Sequence, residues 1–514
     1  MENLNYNMEA QKRLQLSEIT TDTTATHEIS EEFDLPDYIP ELRRLLMVKA
    51  SVLPESKYLS DKGNTSQLDF GGTVTYLVIY TDDEGKLSST PLSSTYEAST
   101  QLNSKPSEVI IDTVCDNTTA RVNAPRRLTL KTRLKTRILG IGKSILEESI
   151  SPKSMADEMY LQRAGKKIKA MEISQVALQN LKLSDKLDMQ DHKSVRPIWC
   201  DASLTITECK PQNKSILVKG EATIKCACIS DGKEIVLKNV APISEEIEAE
   251  NCTVDDMASV QGRCLSLSIS NETNGDTNQL FFDLSCELEG IVTSNRDEYI
   301  TVDCYSTKYE TEAKYKIIDT YSVIKNQNLS FSLNEAVKRK NNELKEIIEV
   351  IANPVCEKTE IKGQKATLNG KLELSVIGKS EATDEKESEY LSDTYEIPFK
   401  YDCDLGSVVN EIIVRNTPSV SSIKCRYDNE KLYVNCEIYL SQSIIEKSKQ
   451  EALDIATINK DAEIKNDASC IQVYFPKDGD TIWEIAKKYH STVNKIAEQN
   501  EIEASCKITK SLII

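Results

Sequence analysis

This 514-residue chain is poor in histidine, the commonest acid–base and metal-binding side chain, and in tryptophan, with three and two in all. His27, His192 and His490 stand far apart, and no Cys-x-x-Cys pair occurs, so the spacing holds no zinc-type ligand set. A Gly-x-Ser-x-Gly elbow is missing too, which removes one familiar nucleophile arrangement. No apolar run approaches the roughly 18 residues that a membrane-crossing helix requires. With only 17 Gly and 14 Pro the chain is neither fibrous nor of low complexity. The first residues, Met1 to Met8, show no basic stretch leading into an apolar one, so no export signal is read there. Together these gaps predict a protein that is not an enzyme, takes no metal or other cofactor, and has no membrane span.

What is abundant is negative charge. Asp and Glu number 82 against 63 Lys and Arg, a formal charge of −19. That sign repels nucleic acid and anionic lipid alike, so neither is expected as a partner. With so many carboxylates, close acid pairs arise everywhere and do not point to glycoside hydrolysis. The fifteen cysteines are an odd number, mostly scattered singly, in a chain long enough to fold without staples. They read as free thiols, which predicts a cytoplasmic location. Cys226 and Cys228 share one strand face and are read as packing.

The organising feature is internal repetition. Three strand-like runs start at Gly72, Gly220 and Gly370, which lie 148 and 150 positions apart. Upstream, Ala50, Ala202 and Ala352 keep the register at 152 and 150, and downstream Leu128, Leu280 and Leu432 keep it at 152 and 152. Alternating runs such as Leu432 to Leu440, broken by Asn, Asp and Gly, predict mainly antiparallel β units of sandwich or barrel-like form. The expected division is a polar extension at 1–30, repeats at 31–170, 171–320 and 321–465, and a separate module at 466–514. Helical spacing is read at the junctions, over 154–169 and over 334–348, where Leu344, Ile347 and Ile348 recur at helical intervals.

The tail has a different pattern. Ile471 to Phe475 reads as a short strand, and Thr481 with Glu484 as a capping box. Ile482, Ile485, Ala486 and Tyr489 follow on one helix face. Val493, Ile496 and Ala497 repeat that spacing in a second helix stopping near Asn500, and Lys510 to Ile514 closes a β-α-α-β unit.

The run Gly479-Asp480-Thr481-Ile482-Trp483-Glu484-Ile485-Ala486, with Tyr489 and Asn500, resembles a LysM domain. With the Asp34-Leu35-Pro36-Asp37-Tyr38-Ile39-Pro40 entry and the repeat anchors, the whole layout is similar to SPOCS-domain coat-morphogenesis proteins of spore-forming Clostridia. That resemblance implies a scaffold in the mother-cell cytoplasm at the forespore surface. It implies stage IV sporulation protein A, the coat-basement ATPase, as partner, with other coat proteins besides. LysM domains elsewhere mostly bind N-acetylglucosamine polymers, so peptidoglycan is the alternative ligand, disfavoured by the cytoplasmic reading.

By the same resemblance the binding groove lies between the Gly479, Asp480 and Thr481 loop and the loop holding Ile502 and Ser505. Trp483 sits beside the apolar face with Lys487 one turn on. It is read as an exposed partner anchor, the alternative being packing over the module's own core. From Ile471 onward six Lys balance six acids, so this module is neutral in an acidic chain. Elsewhere, Arg127, Lys131, Arg133, Lys135 and Arg137 alternate with apolar and Thr residues. This is a candidate basic face for acidic lipid or protein, unless acidic neighbours neutralise it. Gly140-Ile141-Gly142-Lys143-Ser144 imitates the end of a phosphate-binding loop, but Arg137 stands where the motif needs glycine.

Overall fold

The alternation read in the sequence appears as very long strands in the computed structural model. It describes residues 4–6, 13–147, 149–151, 158–189, 192, 194–274, 277–382, 387–406, 410–428, 430–465, 472–477, 479–503, 508 and 510–514. A short β1 (Leu4–Tyr6) precedes β2 (Arg13–Asp34), β3 (Leu42–Asp61), β4 (Ser66–Asp82), β5 (Leu87–Leu102), β6 (Glu108–Ala124) and β7 (Arg127–Glu147). These make two facing antiparallel sheets, ordered β2-β7-β6 and β3-β4-β5. Strand β4 shows why they face. Leu68, Phe70, Val74, Tyr76, Val78 and Tyr80 fall on one side at period two, and they bury against Leu128, Leu130, Leu134 and Ile138 of β7.

The same order recurs twice. After β8 (Ser149–Ser151) come β9 (Leu161–Lys186), β10 (Arg196–Gln212), β11 (Ser215–Ser230), β12 (Lys233–Glu248), β13 (Met257–Asn274) and β14 (Thr277–Ser306). Their sheets are β9-β14-β13, with β1 added at the β9 edge, and β10-β11-β12. Then β15 (Tyr309–Lys338), β16 (Leu344–Lys362), β17 (Lys365–Ser380), β18 (Tyr390–Asp404), β19 (Glu411–Tyr427) and β20 (Lys431–Glu463) form β15-β20-β19 and β16-β17-β18. Strand β8 runs parallel to β20.

The repeat anchors fall on equivalent strands, and the glycines have a steric reason. Gly72, Gly220 and Gly370 face Pro54, Ile206 and Cys356, and at each of those partners the neighbouring strand bulges. A Cβ on these glycines would lie 2.1, 2.3 and 2.6 Å from the carbonyl oxygens of Leu53, Thr205 and Val355, so only glycine fits opposite the bulge.

Several expectations are corrected. Residues 13–30 are not a loose extension: they form most of β2, paired along its length with β7. The helix expected over 154–169 is strand from Leu161 onward, 154–157 lying outside the described residues, and that over 334–348 is the end of β15 and the start of β16. Two bulges in β16, at Leu344/Glu346 and Ile347/Glu349, each flip the inward face by one residue, which imitates helical spacing. The boundaries drawn at 170 and 320 fall inside β9 and β15.

The three sandwiches contact one another in a closed ring. Ile79, Ala227 and Ile377 hold equivalent positions, seven residues after each anchor glycine, and they meet in one buried cluster with Met47 and Trp199. Ser89 donates to the Ile198 carbonyl at 2.7 Å, and its counterpart Ser392 donates to the equivalent Leu46 carbonyl at 2.6 Å. The third junction has Val236 at that position and carries two ion pairs, Lys225–Glu349 at 2.8 Å and Lys379–Glu234 at 2.6 Å, while the first adds Lys49–Asp201 at 2.6 Å to its serine bond. Beyond the sandwiches, the ends of β2–β7, β9–β14 and β15–β20 continue as two-stranded ribbons. These ribbons pack together through Leu14, Leu16, Leu146, Ile168, Ile300 and Ala452.

Candidate functional site

At the end of the chain β21 (Val473–Tyr474) pairs with β22 (Leu512–Ile513) across helices α1 (Ile482–Lys488) and α2 (Val493–Gln499). The capping box forms as read: Thr481 accepts from the Glu484 amide, and the Glu484 carboxylate accepts from the Thr481 amide. Ile482, Ile485, Ala486, Val493, Ile496 and Leu512 build the small core, with Tyr489 and Ile502 packed on it. Asn500 caps α2 and ties it to β22 by exchanging hydrogen bonds with the Ile513 backbone.

Trp483 is not the exposed anchor expected from the sequence, for it is 3% exposed. Its indole Nε1 donates to Asp303 Oδ2 at 2.7 Å, and its ring meets Tyr305 edge-on with centroids 4.9 Å apart. Lys487 is engaged at the same place, its Nζ lying 2.7 Å from Asp303 Oδ1. Tyr305 donates to the Ser491 carbonyl at 2.7 Å, and Tyr315 donates to Asp303 at 2.7 Å. The α1 face is thus spent on holding the module against the tip of the β9–β14 ribbon. Burial alone would raise the Asp303 pKa, but hydrogen bonds from Lys487, Trp483 and Tyr315 outweigh it and hold the carboxyl below its ordinary value. Asp303 and Tyr305 lie about 180 residues from the helix they hold, and nothing local in the sequence marks them.

The groove residues serve the module's own structure. Gly479 has φ of +105°, the left-handed side that favours glycine. Asp480 accepts from the Tyr474 hydroxyl at 2.7 Å and the Lys477 amide at 2.8 Å, which lowers its pKa, the backbone bond contributing most. Thr481 is occupied as the cap, Ile502 packs inward, and Ser505 lies outside the described residues. What the module leaves bare is its sheet. Val473 and Ile513 are cross-strand partners, 52% and 44% exposed, and Phe475 just beyond is 75% exposed. Period two on this strand turns Tyr474 inward against Tyr489 and its neighbours outward, a signal present in the sequence but not assigned a face.

The cations of β7 point outward as read, and most meet an acid on a neighbouring strand. Arg127 pairs with Asp34 at 2.7 Å, Lys131 with Glu28 at 2.7 Å, Arg133 with Asp116 at 2.5 Å and Arg137 with Asp22 at 3.0 Å. Lys135 forms no ion pair among the described residues. Gly140 to Ser144 are ordinary strand.

Fold and site together define a class: a β-sandwich array that carries a small β-α-α-β binding module. Residues 477–506 of that module match the LysM domain family, which gives the chain a binding role. No curated protein and no solved structure matches the chain.

Proposed function

We propose that the chain is a non-enzymatic scaffold of the endospore coat, in the mother-cell cytoplasm, whose LysM domain docks stage IV sporulation protein A. The observation that carries this reading is the LysM domain itself, held by Trp483 and Lys487 against the β9–β14 ribbon while Val473, Phe475 and Ile513 stay bare. An apolar patch on a neutral module suits a protein surface, where an aromatic anchor contributes most. The resemblance of the layout to SPOCS-domain coat proteins supplies the partner and the location. Peptidoglycan remains the second reading, because LysM domains often bind such carbohydrate.

The test presents the full chain, wild type and Phe475→Glu, to stage IV sporulation protein A and to purified peptidoglycan. Capture of the protein, weakened about tenfold or more by Phe475→Glu, is the expected result. Pelleting with peptidoglycan and indifference to the protein would sink the scaffold reading.

A further inference from the structure

The three sandwiches line a solvent-open cavity of about 1250 Å³ where their β3, β10 and β16 strands approach one another. Its charges differ from those of the chain as a whole. Each lining carboxylate meets a cation: Asp116 meets Arg133, Asp201 meets Lys49, and Glu373 and Glu396 share Lys371. By contrast Lys238, Lys338 and Lys424 line the same cavity, and among the described residues none has an ion-pair partner. Free hydroxyls accompany them. Ser203, Ser421 and Ser422 also line it, and their side-chain hydroxyls make no hydrogen bond to the protein among the described residues. A bulge in β19 between Val420 and Ser422 breaks the in-and-out alternation there, so adjacent serines serve one cavity.

We propose that this cavity binds a small multivalent oxyanion, taking hydrogen bonds from the three serines and charge from the three lysines. Uncompensated ammonium groups beside unused hydroxyl donors form the complement of such an ion. The chain's −19 charge decides the size: a long polyanion is repelled by the outer surface, whereas a small one inside the cavity meets chiefly the local lysines. The volume accommodates such an ion with part of its hydration. This site is separate from the LysM domain and does not rest on the scaffold reading.

The experiment is calorimetric titration of the full chain with inorganic triphosphate and, in a second arm, with citrate. Triphosphate is expected to bind, more weakly as salt is added, and about tenfold or more weaker in Lys338→Glu/Lys424→Glu. Citrate binding equally well assigns the site to small multivalent oxyanions in general, and citrate failing assigns it to phosphates. Should the charge-reversed variant not fold, Ser421→Ala/Ser422→Ala is expected to weaken binding several-fold. No heat from either anion, or binding that the folded variants retain in full, overturns the proposal.

Discussion

Four donors converge on the Asp303 carboxylate: the Trp483 indole, the Lys487 ammonium, the Tyr315 hydroxyl and the Cys304 amide. Removing the acceptor leaves a buried indole N–H and a lysine unanswered, each worth more than an ordinary neutral bond. Asp303→Ala is therefore expected to cost roughly 2–3 kcal/mol of docking and to shift Trp483 emission to the red, read in a Trp199→Phe background. An unmoved emission maximum would mean that the Tyr305 contact holds the module by itself. Because the folded pKa is depressed, the Asp303 contribution is complete above the ordinary value of 3.8 and is lost as pH falls through the folded value. The same emission signal in acid should report that loss.

Among the elements, the central strand of each meander is the most constrained, because its glycine lies against a bulge whose carbonyl leaves no room for a Cβ. Gly220→Ala places a methyl 2.3 Å from the Thr205 oxygen, so β10 and β11 must part or re-register. A loss of about 1–3 kcal/mol is expected, visible as a lower melting temperature. A melt identical to wild type would show that the bulge yields freely. The bulges also account for the clearest misreading of the sequence. Leu344, Ile347 and Ile348 have helical spacing only because two inserted residues reset the strand's faces, and no single-sequence period distinguishes these cases. The LysM helices were legible for the opposite reason: their caps and apolar faces are local, and each falls where the spacing put it.

At the scale of the whole molecule, the ring closes through three junctions, two with a serine-to-carbonyl bond and the third with two ion pairs in its place. Glu349 is the most buried of these charges, with 8% of its side chain exposed against 29% for Lys225. Removing it strands the Lys225 ammonium at the junction. Glu349→Ala is expected to cost roughly 2–3 kcal/mol, below the full penalty of a buried pair because Lys225 keeps part of its water. Chemical denaturation would measure it, and a variant as stable as wild type would show that the Lys379–Glu234 pair and the apolar cluster around Ile377 suffice to close the ring.

The β class, the period of the repeat and the LysM helices were legible in the chain itself, because period-two alternation and helix caps act within a few residues and the anchor glycines recur at one spacing. What lies between the units depends on long-range pairing. The polar stretch at 13–30 becomes a strand because β7 supplies its partner, and the cations of β7 are answered by carboxylates such as Asp22 and Asp34. Trp483 turns inward for the same reason. An exposed-looking aromatic on a short helix is buried as soon as a distant strand offers it a carboxylate and a ring, and pairing across about 180 residues leaves no trace in local spacing.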